Sequence, residues 1–146
     1  MEFQKIKLHR SEKNRAAVTQ ITLDDDYNVP DYRQDIVKVI KERGELRFDE
    51  VKAMEGAAWI KGSLVFKVLY RSDKQEGKIS CLRGEIPFQE RLNMDGLSEY
   101  DAVHATGDME DLTIGVINSR KLNVRAVIVL TASSEKEVDE ELTCEL

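Results

Sequence analysis

The chain is poor in the residues that build most enzyme centres. Its 146 residues include two histidines, two cysteines and two prolines, and aromatics make up 6%. His9 and His104 have no cysteine or second histidine at ligand spacing, so no zinc site is expected. Cys81 and Cys144 lie far apart with no C-x-x-C spacing, and read as free thiols in a reducing compartment rather than as a disulfide. No P-loop and no G-x-G-x-x-G occurs, so nucleotide binding has no local support. No apolar run approaches a membrane span. The opening "MEFQKIKLHR" lacks the apolar centre of a signal peptide, so a cytoplasmic protein is expected. No basic stripe with interleaved aromatics is present, which argues against nucleic acid as a partner.

The acids are plentiful but not arranged for chemistry. Asp24–Asp26, and the group Asp95, Glu99, Asp101, Asp108, Glu110 and Asp111, lack the calcium-loop ladder with glycine at its sixth place, and read as solvated loop acids. Cys81 stands beside Leu82 in a strand-like run with no nucleophile elbow, and reads as a buried, inert thiol. The residues therefore predict no enzyme, no metal, no cofactor and no small-molecule substrate.

What remains is a globular balance, with 41% hydrophobic and 34% charged residues. The net charge of −6 is uneven. Glu135–Leu146 is rich in acids and Met1–Arg15 in bases. We expect one domain over 1–132 and an acidic tail, or the start of a linker, over 133–146.

Periodicity gives mostly strands. Ala17, Thr19, Ile21 and Leu23 share one parity, in a strand expected to end at the three aspartates. "AAWIKGSLVFKVLYRS" is apolar on both faces at its middle, as a central strand is. It should form a hairpin with "KISCLRGEIPF" across the polar "SDKQEG", with Pro87 marking a strand end or an edge bulge. Leu122, Val124, Ala126, Ile128 and Leu130 alternate cleanly after a turn at Asn118–Arg120. One segment reads differently. In "NVPDYRQDIVKVI", Tyr32, Ile36, Val39 and Ile40 fall on one helical face. Asp31 with Gln34 fits a capping box, and Gly44 a helix end. The expected fold is mainly β, a two-layer antiparallel β-sandwich-like domain with one short helix over about 31–43.

Several of these stretches match a known pattern. "NVPDYRQDIVKVI", "GELRFDEVKAMEGAAWIKGSLVFKVLY", "IPF" and "INSRKLNVRAVIVL" resemble the SPOCS domain family of spore-coat morphogenetic proteins such as SipL, over roughly residues 6–131. The signature positions are Pro30, Asp31, Asp35, Asn118, Arg120 and Lys121, in structural or interaction roles. Where many members carry a second proline, this chain has Gln34, so the helix start stays open between Asp31 and Asp35. The resemblance implies a non-catalytic assembly module made in the mother-cell cytoplasm and assembling at the spore surface. Its partners would be other spore-coat proteins and self. The repeated units and LysM module of larger members are not in this sequence, so peptidoglycan binding is not carried over. The alternative reading is a small-ligand or glycan-binding β-sandwich using Trp59 or the tyrosines. A third is a hydrolase, which would need His104 or acids converging in a pocket.

Overall fold

A computed structural model describes residues 3–72 and 78–145 of the chain, and the side chains of 15–72 and 78–135. The described residues form six strands: β1 Phe3–Asn28, β2 Ile36–Met54, β3 Ala57–Ser72, β4 Ile79–Asn93, β5 His104–Asn118 and β6 Lys121–Glu145. They make two three-stranded antiparallel sheets in the orders β1-β6-β5 and β2-β3-β4. The two strands with the most buried side chains among the described residues, β3 and β6, are the centres of their sheets, because only a central strand is covered on both edges and on its inner face.

The core lies between them. Leu64, Phe66, Val68 and Tyr70 of β3 are fully buried, as is every even residue of β6 from Leu122 to Ala132. Each such large side chain contributes roughly 1.5–3 kcal/mol by leaving water. Tyr27 of β1 meets Phe66 edge to face at 5.1 Å, tying the sheets together. At one side of the sandwich β2 runs beside β5. Gly44 allows that approach: a Cβ there would come within 2.8 Å of Met109 and 2.9 Å of Leu112.

No helix occurs among the described residues, which corrects the expectation for 31–43. Asp31 and Tyr32 are instead the middle of a turn closed by the Arg33 amide on the Pro30 carbonyl at 2.9 Å. The chain is then extended from Ile36. Two physical reasons explain the misreading. Ile36, Val37, Val39 and Ile40 are β-branched, which favours strand over helix. The register also slips between Ile36 and Lys38 and between Val39 and Lys41. A bulge inserts an extra residue and breaks the alternation, so the inward positions Ile36 and Val39 stand three apart, as on a helix. Gly44 is accordingly a strand residue, not a helix end.

Two other boundaries moved. β1 continues through Asp24–Asp26 to Asn28, and β6 runs as paired backbone through the acidic segment to Glu145, opposite Phe3. The β3–β4 hairpin forms as expected, although the turn read at "SDKQEG" lies almost wholly outside the described residues. Pro87 sits within β4, an edge strand, opposite Ser63 and without a register slip.

Candidate functional site

The chain crosses between the sheets twice, through 29–35 and through 94–103. Each crossing is held by an arginine from the other part of the fold. At the first, Arg120 in the β5–β6 turn points its guanidinium into the 29–35 segment. It donates to the carbonyls of Pro30 at 2.7 Å, Arg33 at 2.7 Å and Val29 at 3.3 Å, and to the Asp35 carboxylate at 3.1 Å. The planar fork of an arginine can serve several acceptors in fixed directions, which a lysine cannot. Backbone bonds add to this: the Val29 amide donates to the Arg120 carbonyl and the Ile36 amide to the Ser119 carbonyl, both at 2.9 Å. Asn118 shapes the turn by accepting the Arg120 amide at 2.8 Å on its side-chain oxygen. Lys121 lies 3.7 Å from Asp26 at the end of β1.

Five of the six positions expected from the sequence are thus assembled at one end of the sandwich, from segments nearly ninety residues apart. Asp31 is the exception. It is exposed and makes no side-chain hydrogen bond among the described residues. The carboxylate with a partner is Asp35. Sequence reading missed the receiving carbonyls of Val29, Pro30 and Arg33, since nothing in a side-chain pattern marks a carbonyl as an acceptor. It also missed Arg15, which donates to the Gly96 carbonyl at the second crossing. There the Gly56 amide bonds Leu97, and the Met94 amide bonds Gly56.

The remaining chemical candidates do not converge. His104 is exposed at the start of β5, and the side chains of His9 and Cys144 lie outside the described ones. Cys81 is exposed and free, which corrects the expectation of a buried thiol: it faces outward on the edge strand β4. Asp24 and Asp26 are strand residues that share the Asn123 amide nitrogen, at 2.9 and 3.1 Å. No group of three or more His, Cys, Asp or Glu among the described residues could hold a metal ion. An open cleft of about 790 Å³ is lined by Lys52, Ala53, Met54, Glu55, Glu99 and Tyr100. No described helix is long and apolar enough to cross a membrane.

One comparison decides the family. The SipL, SPOCS domain family matches residues 35–117, more than half the chain, from the clamped Asp35 to the end of β5. The chain belongs to this family. No curated protein and no solved structure matches it. The matched span of the SPOCS domain covers β2 to β5, while β1, β6 and Arg120 itself lie outside it. The family makes this a spore-related protein module. Among the described residues, Arg120 makes four side-chain hydrogen bonds and directs them at the 29–35 segment, three to backbone carbonyls and one to Asp35, and not into a cleft.

Proposed function

We propose that this SPOCS domain is a non-catalytic assembly module of the spore coat, acting through protein–protein contacts on the mother-cell side of the forming spore. The family match over residues 35–117 carries the reading. Two features of the fold are in keeping with it. Arg120, with Asp35 and Asn118, is engaged in holding a crossover segment, which suits a scaffold better than a reaction centre. Four strands, β1, β5, β2 and β4, stand at sheet edges, and an edge strand can accept a further strand from a partner. Deleting the gene should misplace coat proteins, and the domain as bait should capture coat proteins from sporulating cells. A normal coat in the deletion strain would refute the proposal.

The glycan-binding reading keeps one observation in its favour. Tyr100 is 89% exposed at the rim of the 790 Å³ cleft, beside Met54 and Lys52. Trp59 is half-buried and Tyr70 fully buried. If this reading holds, soluble glycans should shift the Tyr100 resonances, and a Tyr100→Ala variant should lose binding. An unshifted spectrum would dismiss it.

A further inference from the structure

The two outer faces of the sandwich carry opposite charge. On the β2-β3-β4 sheet, pairing places Arg43, Lys67 and Arg83 directly opposite one another across three strands. Lys38 pairs with Arg71, and Lys41 stands in the row between. Like charges facing each other across strands destabilise a sheet, so this arrangement needs an anionic counterpart. Part of it is supplied locally. Arg43 is 3.8 Å from Glu45, Arg83 is 3.5 Å from Glu85, and Arg47 forms a two-bond pair with Glu85 at 2.9 and 3.2 Å. The hydrogen bonds that Arg47 donates to Glu85 and then to Asp49 hold its guanidinium above its ordinary pKa. Lys38, Lys41, Lys67 and Arg71 make no ion pair among the described residues. Between them lie exposed Leu69, Ile79 and Cys81.

The β1-β6-β5 sheet is the reverse. Register puts Asp24 and Asp26 of β1, and Asp108 and Asp111 of β5, on its outer face, against two cations, Arg125 and Lys121, the latter 3.7 Å from Asp26. Asp108 and Asp111 have no ion pair among the described residues. Beside the acids the same face carries Thr22, Gln20, Val127 and Val129, and the next row holds Val18, 66% exposed, with Thr131 and Thr106.

From this we infer that copies of the chain stack head to tail, the basic face of the β2-β3-β4 sheet receiving the acidic face of the β1-β6-β5 sheet of the next copy. The inference deepens the assembly reading and rests on it. The faces lie on opposite sides of the sandwich, so the contact is heterologous and does not close on itself in a dimer; repeated, it gives an open fibre. Packed sheets lie about 10 Å apart, so each copy should add roughly 20 Å along the stack.

The test uses the purified chain and charge exchange. Sedimentation is compared between about 50 and 500 mM salt, across which the screening length falls from roughly 14 to 4 Å. Oligomers that grow with concentration at low salt and dissolve at high salt are expected. Lys67→Glu/Arg71→Glu alone and Asp108→Lys/Asp111→Lys alone should stay monomeric, each with an unchanged circular dichroism spectrum. Mixed, they should assemble again, because each altered face then meets a complementary one. In a Cys144→Ser background, maleimide labelling of Cys81 should slow on assembly. A monomer at every salt, assembly indifferent to the face variants, or a mixture that stays monomeric would overturn the inference. So would a basic face that captures anionic vesicles or RNA while the chain itself stays single. If the chain stays single yet captures coat proteins, the stacking fails and the assembly-module reading stands.

Discussion

Replacing Arg120 by alanine removes four side-chain hydrogen bonds at once and leaves the 29–35 crossover held by two backbone bonds. The size of the loss follows from exposure. A bond from a charged donor is worth about 1.5–3 kcal/mol when water cannot replace it. The Arg120 side chain is 36% exposed and that of Asp35 is 41% exposed, so the Asp35 pair contributes about 0.5 kcal/mol, as surface pairs do. The two 2.7 Å bonds to the Pro30 and Arg33 carbonyls dominate, with the longer Val29 bond adding little. The expected total is about 2–3 kcal/mol, discounted for solvent access. For a chain of this size that lowers Tm by roughly 6–9 °C. Asp35→Ala should cost only the pair, and Arg120→Lys should recover less than half the loss, since an ammonium cannot reach four acceptors in a plane. Thermal unfolding followed by circular dichroism measures all three. If Arg120→Ala melts within about 2 °C of the wild type, the backbone bonds hold the crossover and the clamp is incidental.

Asp31→Ala should change stability by less than about 0.5 kcal/mol, since the residue is exposed and unpartnered among the described residues; urea unfolding checks this. Gly62→Ala places a Cβ against the Arg47 carbonyl oxygen and within 3.0 Å of Phe88. Backbone cannot yield as a side chain does, so a loss of about 1–3 kcal/mol by overpacking is expected in the same assay. The Tyr70 hydroxyl is buried without a hydrogen-bond partner among the described residues, so Tyr70→Phe should keep or raise Tm. A clear fall would show a partner for that oxygen.

The sequence was most legible where one physical signal acted alone. The clean alternation from Leu122 to Leu130 marked β6 as a strand and the doubly apolar middle of β3 marked that strand as central, because each pattern had a single cause; that β6 is also central was not visible in its run. It was least legible over Ile36–Ile40, where two bulges turned a period of two into spacings of three, and β-branching was the signal that should have outweighed the spacing. Cys81 was misplaced because exposure on an edge strand depends on which strand lies outside, a property of topology and not of the local run. The signature positions were visible as a pattern. Their meaning was not, since Arg120 acts on carbonyls of a segment nearly ninety residues away.

The pairing of β1 with β6 also sets the timetable of folding. β2, β3 and β4 meet their neighbours across short connections and can form as they emerge. β1 cannot, because Asn28 finds Lys121 only after all the intervening strands have been made. At about 5–20 residues per second, β1 waits roughly five to twenty seconds on the ribosome with both of its edges bare. Until β6 arrives, the crossover through 29–35 also lacks Arg120, so the first sheet and its clamp are completed together, as the last act of folding.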